Sequence, residues 1–366
     1  MKVITVFGTR PEIIRLSIVM RLLDQHCDHV TVHTGQNYTE SLSDIFLRDL
    51  NVRTPDYHLG LRSNSFGEQV GAMLARVDEI LEAEKPDKML LLGDTNSALT
   101  AILAARRGIP VFHMEAGNRC FDNRVPEEVN RRIIDHASTV LLPYTERSKD
   151  NLVREGIERE RIYVTGNPIY EVLLNADAKI NESKVLKTLG VKQYEYFLVT
   201  LHRAENVDLP KRLKQFFDGL QKVSARFDKP MLVSLHPRTA SKLEQFDVKV
   251  DAEKIRLLEP LGFFDFVKLE KNAQAVLTDS GTVQEECAIF KIPNVTLRDV
   301  TERPETIEVG SNILSGADSE AILKAVEIAV SQPAAWNPPK EYLSENVAYT
   351  VLKIVLGYYS LRRHVS

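Results

Sequence analysis

Hydrophobic and polar residues alternate along this chain in blocks. Short apolar runs at Val3–Phe7, Val30–Thr34, Met89–Leu92, Ile109–Phe112, Val140–Tyr144 and Ile162–Thr165 are each bounded by turn residues, the pattern of strands buried on both faces. Between them the period changes. Ile13, Ile14, Leu16, Ile18, Val19, Leu22 and Leu23 form one face of a first helix, with Thr9 as its N-cap and Pro11 at its start. Further helices are predicted at Asp44–Leu50, Phe66–Ala83, Ala98–Arg106 and Arg147–Arg154, and Arg53–Asn64 reads as a polar loop. Strands that alternate with helices predict a mainly parallel sheet covered on both faces.

Gly166-Asn167-Pro168 interrupts the alternation and marks a boundary. After Ile169–Leu174 a polar, charged region runs to Tyr194. A second series follows, with strands at Tyr196–Leu201, Met231–Leu235, Ile255–Leu258, Ala275–Thr278 and Asn294–Leu297, and a weaker one at Asn312–Leu314. Helices Pro210–Ser224, Phe264–Lys271 and Val283–Phe290 fall between them. Pro333 to Pro339, with Trp336, reads as a linker, and Ser344–Tyr359 as a last amphipathic helix. The fold class is therefore α/β. Residues 1–168 and 169–345 form two doubly wound, Rossmann-like domains facing a central cleft, and residues 346–366 form a C-terminal helical segment. A ligand is expected in the cleft.

Composition narrows this further. At 366 residues the chain is long enough for two separate cores. A net charge of −4 with no basic block argues against nucleic acid or a membrane surface as partner. Cys27, Cys120 and Cys287 are odd in number and contain no CxxC, which argues against a disulfide framework or zinc knuckle and fits a reducing, cytoplasmic location. No apolar run approaches the ~18 residues of a membrane span. The N-terminus reads as a strand, not as a signal peptide.

The candidate chemistry lies at strand ends. Asp94 and Glu115 each follow an apolar run, and in open α/β sheets ligands bind beyond the carboxyl ends of strands. Glu127 follows Pro126 at a helix start. These carboxylates suggest acid/base work at one crevice. In Thr278–Glu286 a strand ends, Ser280-Gly281 turns and a helix begins. Its amides suit a pyrophosphate, and a well-capped helix with no ligand would look the same. Arg10, His236 and Arg303 also follow strands, where phosphate ligands gather. Glu286 could accept ribose hydroxyls or could simply be a first-turn acid at a helix dipole. His202, at the mouth of a strand, could serve as acid, base or phosphate partner, or as a structural residue. His113, inside an apolar run, reads as a satisfied core residue, and His136 as a packed mid-helix one. There is no GxGxxG, no P-loop and no HExxH, so neither a nicotinamide cofactor nor a metal is expected.

In order along the chain, FGTRPE, GDTNS, HMEAGNR, RVPEEVNRR, LHRAEN, TDSGTVQEE and RDVTERPE resemble the non-hydrolysing UDP-N-acetylglucosamine 2-epimerases, from Met1 to Gly310. The resemblance implies a glycosyltransferase-B type fold in which the C-terminal helix crosses back to the first domain, with acid/base groups on the first domain and UDP on the second. It implies interconversion of UDP-GlcNAc and UDP-ManNAc by anti-elimination of UDP and re-addition through a 2-acetamidoglucal, with no cofactor and in a homodimer. Matched to the motifs, Asp94, Glu115 and Glu127 are the acid/base candidates, and His202 is the family's catalytic histidine. Arg15 stands where many members have Lys. Arg10, His236, Ser280, Gly281, Glu286 and Arg303 match UDP-binding positions.

Two departures bear on substrate and control. Gln36-Asn37-Tyr38 lacks the Gln-His pattern of members activated by a second UDP-GlcNAc, so no such activation is expected. The Asn118–Glu128 segment is short and is similar to the branch acting on UDP-2-acetamido-2,6-dideoxy-L-talose. That leaves a 6-deoxy UDP-HexNAc 2-epimerase as an alternative. A glycosyltransferase or a non-enzymatic sugar-nucleotide binder of the same fold would leave the carboxylates without a task.

Overall fold

The computed structural model describes residues 1–35, 40–61 and 65–358. The chain divides into two compact units. One is Met1–Val172 together with the stretch from Leu343, and the other is Leu173–Tyr342.

The first unit is built on strands β1 (Lys2–Phe7), β2 (Asp28–His33), β3 (Tyr57–His58), β4 (Lys88–Leu92), β5 (Val111–Met114) and β6 (Val140–Leu142). Its helices are α1 (Arg10–His26), α2 (Glu40–Asp49), α3 (Phe66–Glu84), α4 (Ala101–Arg106), α5 (Pro126–Ala137) and α6 (Glu146–Arg154). The strands pair in parallel in the order 3-2-1-4-5-6. That order reverses between β1 and β4, the switch point where such sheets open a crevice.

The second unit opens with α7 (Ile169–Glu182), which begins in the first unit, and α8 (Val185–Leu189). It continues with β7 (Phe197–Leu201), α9 (Ala204–Val207), α10 (Pro210–Phe227), β8 (Met231–Leu235), α11 (Pro237–Gln245), β9 (Ile255–Leu258) and α12 (Phe263–Asn272). After these come β10 (Val276–Thr278), α13 (Gly281–Phe290), β11 (Asn294–Thr296), α14 (Pro304–Glu308), β12 (Asn312–Leu314) and α15 (Ser319–Val330). Read from β9 to β12, the sheet runs 9-8-7-10-11-12, the same order as the first, again all parallel. Its switch point is between β7 and β10. The two doubly wound sheets are those expected from the alternation of strands and helices.

The last helix, α16 (Val347–Gly357), packs on α1 within the first unit. Lys88 ties it down. Its buried ammonium donates to the carbonyls of Val355 and Tyr358, each at 2.6 Å. Burial lowers the Lys88 pKa, and the carbonyls at the helix C-terminus offset that cost, since they carry the negative end of the dipole.

Several local expectations are corrected. The polar loop Arg53–Asn64 contributes the edge strand β3, whose two residues are too few for periodicity to show. Ile162–Thr165 is not a strand. Ile162 makes a single bridge to Leu141 and the chain turns away. Ala98–Arg106 is a tight 3-10 turn, Asn96–Thr100, followed by the shorter α4. The region up to Tyr194 holds most of α7 and all of α8. Ile169, Val172, Leu173, Ala176 and Ile180 are buried along one stripe of α7 at helical spacing, hidden in sequence by the charges on its outer face. Helix α15 was not expected. Asp318 caps it through the amides of Glu320 and Ala321, and it buries Ile322, Ala325 and Val326 against α10.

Candidate active site

At the switch point of the first unit, β4 and β5 run in register with Leu92 opposite Met114, so Gly93-Asp94 and Glu115 emerge side by side. Glu115 has φ +64° and its side chain is buried. A non-glycine residue there costs ~1–3 kcal/mol and must be held by its surroundings. The Arg15 guanidinium donates to Glu115 Oε2 at 2.9 Å, the Tyr144 hydroxyl to the same oxygen at 3.3 Å, and Asn118 Nδ2 to Oε1 at 3.4 Å. Arg15 also lies over the Tyr144 ring at 5.9 Å, within cation–π range. Two residues on, Gly117 (φ +79°) passes so close to α6 that a Cβ would sit 2.2 Å from the Ser148 carbonyl. The turn carrying Glu115 therefore requires glycine at that position.

Asp94 is gripped from α5. Arg131 Nε and a terminal nitrogen reach Asp94 Oδ2 at 2.8 and 2.7 Å, and Asn130 donates to the Asp94 carbonyl at 2.9 Å. Glu127, half-buried, lies in the first turn of the same helix after Pro126. Its neighbour Glu128 is fully buried. Glu128 accepts from the amides of Cys120 (3.0 Å) and Phe121 (3.1 Å) and from Arg131 (2.8 Å), which fastens the short Asn118–Glu128 segment to its helix. Burial pushes the Glu128 carboxyl up, but the Cys120 amide and Arg131 outweigh it and hold the group below its usual range.

The β1–α1 junction contributes a further acid that the sequence reading passed over. Glu12 is buried. Its carboxylate accepts from the Gly8 and Thr9 amides (3.1 and 2.8 Å), the Thr9 hydroxyl (2.7 Å) and the Thr95 hydroxyl next to Asp94 (3.2 Å). Burial pushes its pKa up to about 7, against the opposing hydrogen bonds. Arg10, also on this turn, is half-buried and lies 5.8 Å from the Phe46 ring.

In the second unit the switch point joins an imidazole to a buried acid. His202 Nδ1 sits 2.9 Å from Asp279 Oδ1, so the outward Nε2 edge is the one open to a ligand. Asp279, at the end of β10, also accepts from the amides of His202 (2.9 Å) and Arg203 (2.8 Å) and from Asn206 (3.1 Å). Burial works against its charge. The His202 ring and the two amides prevail, and the carboxyl is held well below the usual range. His236, the N-cap of α11, brings its ring to 5.8 Å from that of His202.

Ser280 is the N-cap of α13 and Gly281 its first residue. A Cβ on Gly281 would stand 2.8 Å from Glu302 Oε1 and 3.6 Å from the Arg303 guanidinium. Arg303 Nε donates to buried Glu285. Glu302 holds Arg203 at 3.3 Å and Arg298 at 2.7 Å. Guanidinium groups thus collect beside the amides of a helix N-terminus, a setting that favours anions. Glu286 lies in the second turn of α13, not the first, which removes the dipole-stabilising alternative. It is buried beside Glu270, whose carboxyl is pushed well up by burial and by the Glu286 charge.

Thus Asp94, Glu115 and Arg15 come together in the first unit, with Glu127 in the first turn of the helix that grips Asp94 and Arg10 on the β1–α1 turn. In the second, His202 and His236 bring their rings together, Ser280 and Gly281 adjoin Arg303, and Glu286 is buried in α13. His113 is buried with both ring nitrogens bonded, as expected of a satisfied core residue. His136 is exposed at the end of α5, which corrects the expectation that it packs. Gln36-Asn37-Tyr38 lies outside the described residues. The anchoring residues Arg131, Asp279, Glu285 and Glu302 were missed. The available signal was that each sits in a motif beside or within one helical turn of a residue that was singled out. Among the described residues no group of three or more His, Cys, Asp or Glu is placed to hold a metal ion, and no helix is long and apolar enough to cross a membrane.

Comparison with known proteins shows the family. The family model for UDP-N-acetylglucosamine 2-epimerase matches residues 21–356. The chain belongs to that family. It is similar to the UDP-N-acetylglucosamine 2-epimerase of Methanocaldococcus jannaschii, 44% identical over 93% of this chain and 95% of that protein. The crystal structure of the same relative in complex with UDP-GlcNAc and UDP superposes with a TM-score of 0.94, covering 98% of this chain and 100% of that one at 42% identity. A more distant member is the UDP-2,3-diacetamido-2,3-dideoxy-D-glucuronate 2-epimerase of Pseudomonas aeruginosa, 34% identical over 91% of this chain and 93% of that protein. The enzyme is thus an isomerase of nucleotide sugars.

Proposed function

We propose that the enzyme interconverts UDP-GlcNAc and UDP-ManNAc by anti-elimination and re-addition of UDP, with acids from the first unit acting at C2 and cations from the second holding the diphosphate. The observation that carries this reading is the pair Asp94 and Glu115, delivered by neighbouring strand ends and each fixed by a guanidinium. In the forward step a carboxylate takes the C2 proton. The C2–H electron pair becomes the C1=C2 double bond, and the C1–O bond breaks with its pair leaving on UDP. In the return step a second acid protonates C2 on the opposite face and UDP re-adds at C1. Asp94, Glu115 and Glu127 share the acid/base roles, and Arg15 steadies Glu115. His202, oriented by Asp279, sits at the leaving phosphate, where a donor stabilises developing charge. Arg10, His236, Arg303 and the Ser280-Gly281 turn bind the diphosphate. Glu286 takes the ribose hydroxyls.

UDP-GlcNAc is the proposed substrate, as in the relative of known complex. The short Asn118–Glu128 segment, pinned by Glu128, favours one second reading, a 6-deoxy UDP-HexNAc. Incubating the enzyme separately with UDP-GlcNAc, UDP-2-acetamido-2,6-dideoxy-L-talose and UDP-2,3-diacetamido-2,3-dideoxy-D-glucuronate, and following the C2 epimer by NMR, separates them. Turnover of UDP-GlcNAc at least about 10-fold above the others is expected, the scale of a modest contact difference in a pocket. Turnover of the 6-deoxy sugar alone would move the assignment to the second reading. We also take the enzyme to be cytoplasmic, which three scattered cysteines without a CxxC fit. The homodimer that the resemblance implies is measurable by light scattering.

A further inference from the structure

We infer that His113 and Asp135 are positioning residues for this reaction, a buried clamp that sets the two acid-bearing turns against each other. The inference rests on the proposed roles of Asp94 and Glu115. His113 is on β5, two residues before Glu115, and Asp135 is on α5, four residues after Arg131. Both side chains are buried.

The ring spans two turns. His113 Nε2 lies 2.8 Å from the Gly93 carbonyl, and a carbonyl can only accept, so Nε2 donates. Gly93 is the residue before Asp94 and has φ +75°; its amide donates to the Met114 carbonyl at 3.0 Å, and its own carbonyl is taken by the imidazole. His113 Nδ1 lies 2.8 Å from Asp135 Oδ1. The other oxygen of Asp135 accepts from the Gly117 amide at 3.1 Å and meets Arg119 at 2.8 Å. Gly117 closes the turn that begins at Glu115. One carboxylate on α5 therefore reaches the Glu115 turn directly and the Asp94 turn through the imidazole.

The same helix grips Asp94 at two further points, Asn130 on its carbonyl and Arg131 on its carboxylate. A shift of α5 would carry both acids together, whereas loss of the His113 link would free the Gly93 carbonyl and let the Asp94 turn rotate about its remaining holds, Asn130, Arg131 and the Gly93–Met114 hydrogen bond, while Glu115 stays. Burial opposes the Asp135 charge, but His113 and Arg119 overcome it and the group is held below its usual range. A buried ionic centre with every partner in place is rigid. A displacement of about 1 Å in a catalytic group can cost ~10²-fold in rate.

The test uses side chains that imitate one ring nitrogen at a time. His113→Asn keeps a donor toward Asp135 and loses the one to Gly93. His113→Gln keeps the donor to Gly93 and loses the other. With UDP-GlcNAc, His113→Asn is expected to lower kcat by about 10²-fold with KM within about 2-fold of wild type, and His113→Gln to recover about 10-fold of that loss. Asp135→Asn should lower kcat with KM likewise held. It also carries the test if His113→Asn does not fold. Wild-type kcat in both His113→Asn and Asp135→Asn would overturn the inference. So would losses in kcat that track thermal stability and UDP affinity and that glutamine does not restore. Asp94→Asn and Glu115→Gln are measured alongside. If those two keep full turnover, the acid/base reading itself fails, whatever the clamp variants do.

Discussion

In the first unit two candidate acids are each paired with a guanidinium, Asp94 with Arg131 and Glu115 with Arg15. In the second unit the arrangement is inverted for an imidazole and two guanidiniums, each paired with a buried acid: His202 with Asp279, Arg303 with Glu285, Arg203 with Glu302. The strand order is the same in both sheets and the switch points are equivalent. The scaffold thus supplies only a place. The two units differ in which member of each ion pair belongs to the proposed chemistry, the acid in the first and the base in the second. Anchoring restricts a side chain without neutralising its reactive edge, which is how a site is held ready before substrate arrives.

The largest effects should fall on the acidic side. Asp94→Asn and Glu115→Gln are each expected to reduce kcat by ~10³-fold, within the range of a lost acid/base group, with UDP affinity unchanged by calorimetry. If either variant loses UDP binding instead, the division of labour between the units is wrong.

Glu12 and Asp279 make the next contrast, because the hydrogen bonds to one buried acid come from amides and hydroxyls and those to the other include an imidazole. Glu12 is raised to about 7 from 4.5, so the folded state holds its proton more tightly than the unfolded chain does. Its favourable contribution is complete below pH 4.5 and disappears as pH rises through 7. At 1.36 kcal/mol per unit, the amount is on the order of 3 kcal/mol. The first thermal transition of the wild type should therefore gain less between pH 5 and pH 8 than that of Glu12→Gln. Parallel curves would show that Glu12 is not perturbed. Asp279 has the reverse sign. It stabilises above the ordinary aspartate range, and that contribution is lost as pH falls through its lowered folded value.

Asp279→Asn keeps the shape of the anchor and removes its charge. It should lower kcat about 10²-fold through a misdirected His202, while Asp279→Glu recovers part of the loss. An unchanged kcat would reduce Asp279 to a purely structural acid. The smallest change is expected for Arg303→Lys, which loses the forked guanidinium but keeps the charge. UDP binding should weaken about 10-fold, roughly 1.4 kcal/mol, with kcat at saturation near that of the wild type. Unaltered binding would take Arg303 out of the diphosphate site.

The sheet strands were legible in the sequence because buried parallel strands are continuous apolar runs, as in Met89–Leu92 and Met231–Leu235. Glu115, Asp94 and His202 were legible because they follow such runs. What stayed hidden was whatever depends on distant pairing. Arg131 reads as a surface charge on a polar helix until β4 is brought beside α5, and Asp279 reads as an ordinary turn residue until its carboxylate meets His202. Edge strand β3 was hidden because two residues carry no period. Helix α15 was hidden because its short alanine-containing face does not stand out from the surrounding polar sequence.

The central claim, that first-unit carboxylates move the proton at C2, is tested most directly in deuterated water with UDP-GlcNAc as sole substrate and mass and NMR analysis of the recovered sugar nucleotide. Wild type should place one deuterium at C2 in both epimers, and Asp94→Asn and Glu115→Gln should place none while still binding UDP. Epimerisation that leaves C2 unlabelled, or full labelling by both variants, would contradict it.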